Sequence, residues 1–126
     1  MKETPEKKII LIAEDEEYNY LLIEELLLEL DVTLFHTKDG VETVEFCRQN
    51  PAIDLVLMDI KMPIMDGHAA AILIKEFRPE LPIIAESAYA LDHEIRKYGE
   101  IFDEYITKPI NEDELKAKIL KYINKH

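Results

Sequence analysis

The chain has 126 residues, 48% hydrophobic and 33% charged, a globular balance that fits one domain and argues against a disordered or membrane-embedded chain. Its 15 basic and 27 acidic side chains leave a formal charge of −12, which repels phosphate backbones and counts against a direct nucleic-acid partner; divalent cations, a basic protein face or simple solubility remain. The single cysteine, Cys47, allows no internal disulfide, and the apolar run Ile9–Ala13 is too short for a signal core or a membrane span, so a cytoplasmic chain is expected.

Residues 1–7 read as a disordered N-terminal segment. Ile9–Ala13 is a continuous apolar run ending in acids, as in a buried parallel strand. Glu17–Leu30 turns helical, with Tyr20, Ile23, Leu27 and Leu30 on one face. Val32–Thr37 is the second strand. Asp39-Gly40 marks a turn before a helix over Val41–Gln49, and Asn50-Pro51 closes it.

Asp54–Met58 predicts the third strand. Pro63, Asp66 and Gly67 make the next stretch a loop, and Ala69–Phe77 is helical. Pro82–Ala85 is the fourth strand, with Glu86-Ser87 at its end. Leu91–Tyr98 is a short helix candidate, and Glu104–Thr107 is the fifth strand. Asn111 caps a last helix, with Glu114 completing a capping box and Ile110 packing on Leu115 as a hydrophobic staple.

Five strands alternating with five helices predict an α/β doubly wound parallel sheet. Ligands of such sheets bind at the carboxyl ends of the strands. Those ends carry Glu14-Asp15, Asp59, Glu86-Ser87 and Thr107-Lys108-Pro109. Carboxylates suit Mg²⁺, which takes hard oxygen ligands together with water and phosphate oxygens. An Asp carboxylate can act as a nucleophile and form an aspartyl phosphate. Phosphoryl transfer needs chiefly positioning and charge neutralisation, which a metal ion, the Lys108 ammonium and the Ser87 hydroxyl supply.

The same residues carry a family resemblance. Leu57-Met58-Asp59-Ile60-Lys61-Met62-Pro63-Ile64-Met65-Asp66-Gly67 resembles the phosphoacceptor segment of response-regulator receiver domains. Ala13-Glu14-Asp15-Glu16 resembles their acidic segment, and Asp103 to Ile110 their lysine-proline segment. The resemblance runs from about Lys8 to Tyr122 and implies one receiver (response regulatory) domain over 8–124. It implies a flavodoxin-like (βα)5 fold with strand order 2-1-3-4-5, the order that receivers of this family share with flavodoxin.

By that resemblance Asp59 is the phosphoacceptor. Asp15, Asp59 and the Lys61 backbone carbonyl hold Mg²⁺, with Mn²⁺ as an alternative, and Glu14 acts through water. Lys108 binds the phosphoryl group, Ser87 is the switch hydroxyl, and Tyr105 is the aromatic switch residue, with ordinary packing as its competing role. Lys61 and Tyr89 tune the phosphoryl lifetime, or are loop residues without effect. Pro109 is cis. A histidine kinase or histidine phosphotransfer protein is the implied donor; the downstream effector is not implied, and neither nucleic acid nor membrane is a direct partner.

The segments most resemble receivers fused to hybrid sensor histidine kinases, with a stand-alone regulator as the competitor. Such a domain is not an independent enzyme. A metal-dependent aspartyl phosphatase usually carries an Asp two residues after its nucleophile, where this chain has Lys61. A phosphorylation-independent interaction module is the third reading. Two departures stand out. Ser87 to Lys108 is one residue shorter than usual, with Ile101 where a glycine is common. Glu86 takes a strand position that is more often apolar, and it is expected to point outward at the sheet edge rather than add charge near the site. His36, His68, His93 and His126 show no ligand spacing and read as structural or surface residues.

Overall fold

A computed structural model describes residues 7–88, 96 and 99–124. The strands are β1 (Lys8–Ala13), β2 (Val32–Thr37), β3 (Leu55–Asp59), β4 (Ile83–Ser87) and β5 (Glu104–Thr107). The helices are α1 (Glu17–Leu26), α2 (Gly40–Gln49), α3 (Gly67–Phe77) and α4 (Glu112–Ile123). The strands form one parallel sheet in the order β2-β1-β3-β4-β5, as expected. The expected disorder of residues 1–7 falls, apart from Lys7, outside the described residues, as does the expected helix over Leu91–Tyr98 apart from Arg96.

The pleat divides the core in two. Leu11, Val56, Met58, Ile83 and Ala85 face α2 and α3, while Ile10, Ile12, Leu55, Leu57, Ile84 and Ile106 face α1 and α4. Inner strands of a parallel sheet are buried on both faces, which is why β3 and β4 have no exposed residue.

Helix starts follow the capping chemistry of the sequence. Asp39 accepts from the Glu42 amide at 2.8 Å, Asp66 from Ala69 at 2.8 Å, and Asn111 from Glu114 at 2.9 Å. Ile110 packs on the core cluster that holds Leu115, as the staple requires. α1 ends at Leu26, short of the expected Leu30. Its last turn carries no basic residue, and Glu24, Glu25 and Glu29 place negative charge against the negative end of the helix dipole. Leu27 still fills the core at 1% exposure.

Two strands also sit later than expected. Asp54 lies outside β3, because its carboxylate and amide bracket Ile9: the Ile9 amide donates to Asp54 Oδ2 at 2.8 Å, and the Asp54 amide donates to the Ile9 carbonyl at 2.8 Å. β4 starts after Pro82 and runs through Ser87.

The β3–α3 loop is clamped from both sides. The Gly67 amide donates to the Ile60 carbonyl at 2.8 Å, and the Gly40 amide donates to the Met65 carbonyl at 2.9 Å. A Cβ on Gly67 would run into the Asp59 carbonyl, and one on Gly40 into the Met65 carbonyl. Between these clamps Ile64 sits at φ 70°, with its side chain 82% exposed. Gly67→Ala should lower stability by about 1–3 kcal/mol, as overpacking does, read as a lower urea midpoint at constant slope. An unchanged midpoint would show that the loop yields freely.

Candidate functional site

Strand alternation places four ionisable groups in one row. Ile12, Leu57, Ile84 and Ile106 all face the α1–α4 layer, and two residues beyond each come Glu14, Asp59, Glu86 and Lys108. The register aligns them: Ala13 pairs with Met58, Asp59 with Glu86, and Glu86 with Ile106. Three carboxyl groups and one ammonium thus collect over the carboxyl ends of the inner strands and β5.

Asp59 is 4% exposed. Its Oδ1 accepts from the Lys61 amide at 3.1 Å, and its Oδ2 pairs with Lys108 Nζ at 3.3 Å. Glu14 is fully buried; its Oε2 accepts from the Glu16 amide at 3.1 Å, and its Oε1 has no hydrogen-bond partner. Asp15 is exposed beside it. One oxygen from each of Glu14, Asp15 and Asp59 falls within a common 4.8 Å. Hard oxygen donors at that spacing, one of them a buried atom without a donor, fit a Mg²⁺-type cation.

The electrostatics follow from crowding like charges in a dry place. Burial, then the Asp59 carboxylate, pushes Glu14 up to about 7. Burial raises Asp59 too, against the opposing pull of Lys108 and the Lys61 amide. Burial acts to discharge Lys108, but Asp59, Glu14 and Glu86 outweigh it and hold the ammonium above its ordinary pKa.

Glu86 corrects an expectation. β4 is an inner strand, and Glu86 points into the row, fully buried, with neither carboxyl oxygen hydrogen-bonded. Burial, then Glu14, pushes it up to about 8. The sequence does carry the signal: a strand that places Ile84 inward places Glu86 inward as well.

The remaining residues lie around this row. Ser87 is 4% exposed at the end of β4 and, by alternation, on the opposite side of the pleat from Glu86; its carbonyl accepts from the Lys108 amide at 2.7 Å. The Lys108–Pro109 bond is cis, as expected. Lys61 is exposed. Tyr105 is on the α2–α3 side and already inward at 7% exposure, donating to the Gly99 carbonyl at 3.0 Å and meeting Phe102 edge-on at 5.6 Å. Tyr89 lies outside the described residues.

His36, expected as a structural or surface residue, is structural. Its ring stacks on Tyr20 at 3.8 Å, and its Nε2 bonds the Glu14 carbonyl at 2.7 Å, which braces the acidic loop.

Comparison with known proteins decides the family. Residues 10–120 match the response regulator receiver domain family. The chain is a receiver domain of that family. It is 32% identical over 117 residues, 93% of this chain, to the autoinducer 1 sensor kinase/phosphatase LuxN of Vibrio campbellii. It is 36% identical over 130 residues, again 93% of this chain, to the hybrid signal transduction histidine kinase I of Dictyostelium discoideum. It spans only 14% and 8% of those two proteins. The likeness to receivers of hybrid kinases is thus borne out. Among solved structures, the receiver domain of sensor histidine kinase PA1611 from Pseudomonas aeruginosa PAO1 superposes with a TM-score of 0.84 at 30% identity, covering 95% of this chain and 100% of that one. That receiver was crystallised with a magnesium ion coordinated in its active-site cleft.

In this receiver domain the raised acids set a pH dependence. Glu14 and Glu86 keep protons in the folded state that they lose when unfolded, so stability is fully present below the ordinary carboxylate range and falls as pH rises through about 7 to about 8. Glu104, held low by Lys121 and Tyr122 despite its burial, acts below that window. In a chelator, the urea midpoint should be higher at pH 5 than at pH 8.5, and Glu86→Met should flatten the slope. A midpoint that rises over this interval would contradict the assignment.

Proposed function

We propose that Asp59 accepts a phosphoryl group from a phosphohistidine on a histidine kinase or histidine phosphotransfer protein. The observation that carries this reading is the Asp59 carboxylate itself: it lies at the end of an inner strand, 3.3 Å from one ammonium, and its oxygen falls within 4.8 Å of oxygens from two other acids.

A carboxylate oxygen of Asp59 attacks phosphorus, the phosphorus–nitrogen bond breaks, and the imidazole leaves with a proton. The backbone amide of Lys61 and the ammonium of Lys108 orient the two oxygens of Asp59. Lys108 then balances charge on the transferred group. Asp15, Asp59 and the Lys61 carbonyl are the residues that would hold Mg²⁺, with Mn²⁺ able to substitute and Glu14 acting through water. The bound cation supplies neutralisation of the carboxylate and phosphoryl charges.

Ser87 follows the phosphoryl group as the switch hydroxyl. Tyr105 takes part through its bond to Gly99 rather than by burying its ring, which is inside already. Lys61 and Tyr89 tune the lifetime of the acyl phosphate, with no effect on it as the competing reading. The domain catalyses only its own phosphorylation and hydrolysis and has no separate substrate. The added charge of roughly −1.5 to −2 shifts a two-state face toward a protein effector. The formal charge of −12 favours a protein over a nucleic acid as that partner. No described helix is long and apolar enough to cross a membrane, and the cytoplasm, where kinase and phosphotransfer domains meet, is the proposed location. The domain serves as the receiver part of a hybrid kinase or as a stand-alone regulator.

Acetyl phosphate with Mg²⁺ should add one phosphoryl mass to the intact protein. The adduct should disappear in Asp59→Asn and in excess chelator. An adduct that persists in Asp59→Asn, or its absence in the folded wild type, would overturn the assignment. Steady release of phosphate from a phosphate monoester would point to a phosphatase instead.

A further inference from the structure

Lys108 and Glu86 face one cavity of about 180 Å³, walled also by Asn19, Leu22, Pro109 and Ile110. Each brings unused hydrogen-bonding capacity to it. An ammonium has three donors, and the Lys108 ammonium meets Asp59 in a single 3.3 Å contact, longer than the usual 2.7–2.9 Å of a charge-assisted bond. Both oxygens of Glu86 are buried without a partner.

The order of the strands explains why these groups meet. β5 does not touch β3; β4 lies between them. To reach Asp59, the Lys108 side chain crosses β4, and the residue of β4 level with Asp59 on that face is Glu86. A carboxyl group left unpaired in this layer is costly, whereas an apolar side chain would continue the row of Ile12, Leu57 and Ile84. Packing therefore gives no reason for Glu86.

We propose that Glu86 is a positioning residue that offers Lys108 a second seat, taken when Asp59 gives its carboxylate to a cation and competing with the phosphoryl group once Asp59 is modified. The inference rests on the reading of Asp59 as phosphoacceptor. The movement is a rotation of a flexible side chain within the cavity that both residues line. Pairing with the ammonium gives the orphan oxygens of Glu86 a donor. The lysine is then less available to the phosphoryl group, so the phosphorylated state is less stable than Lys108 alone would make it. Glu86 acts through Lys108 and touches neither donor nor phosphoryl group.

The test has two arms. In the first, the Cε resonance of Lys108, identified by its loss in Lys108→Ala, is followed by NMR as Mg²⁺ is added without a phosphodonor. It should shift in the wild type and should move instead toward the position of a solvated lysine in Glu86→Met, with Glu86→Gln as a second variant that keeps the size. Identical Lys108 shifts in all three proteins would overturn the proposal. In the second arm, protein phosphorylated by acetyl phosphate is desalted, and loss of the adduct is timed by intact mass. Glu86→Met should keep its phosphoryl group several-fold longer than wild type, and the difference should vanish when both carry Lys108→Ala. A difference that survives in the Lys108→Ala background, or no difference at all, would sink it. A wild type that takes no phosphoryl group would overturn the acceptor reading, and the resonance arm would still decide whether Lys108 has two seats.

Discussion

The 3.3 Å contact between the Lys108 ammonium and the Asp59 carboxylate holds the site together. It sets one positive charge against a row that otherwise holds Glu14, Asp59 and Glu86. Two like charges a few ångströms apart in a dry layer repel strongly, and without the lysine all three acids would be pushed further toward their protonated forms. The contact spans three strands. It therefore requires the β3-β4-β5 order, the register that levels Asp59 with Glu86, and the Ser87 carbonyl that receives the Lys108 amide at 2.7 Å.

The apolar layers make this crowding tolerable. Beneath the row, Ile12, Leu57, Ile84 and Ile106 form a continuous floor against α1 and α4. On the other face, Met58 and Ala85 pack toward α2 and α3. Burial of these side chains stabilises the sheet by roughly 25 cal/mol per Å² of apolar surface and supports a polar row that would not persist alone. The same dry floor keeps water from screening the charges, so each group feels its neighbours strongly. Stability is held in the layers, and responsiveness at their rim.

Much of this is legible in the sequence. Short apolar runs alternating with amphipathic ones give the sheet class, and the residues at the strand ends give Asp59, Glu14, Asp15 and Lys108. Asn111 marks a helix start through side-chain chemistry that needs no distant partner, whereas Asp39 and Asp66, read as turn and loop residues, prove to cap α2 and α3 in the same way. The misses share a cause. Composition alone limits β4 to Pro82–Ala85, although the pleat continues through Ser87 and carries Glu86 inward. Asp54 looks like the start of a strand because it adjoins one, but its pairing with Ile9 crosses 45 residues. The unwinding of α1 after Leu26 reflects charge at a helix end, which a hydrophobic pattern does not register. The partners of His36, Tyr20 and the Glu14 carbonyl, have no sequence signal, because they come together only through the pairing of β1 with β2.

The bond from the Gly40 amide to the Met65 carbonyl reaches beyond the loop it holds. Met65 precedes Asp66, which caps α3, and Gly40 opens α2, so the first turns of both helices share one anchor. The two helices on that face therefore cannot drift apart in sequence independently. A chain that replaced Gly40 would have to reroute Met65, and with it the cap that starts α3. The exposed Ile64, held at positive φ between the two clamps, is where such rerouting would first be absorbed.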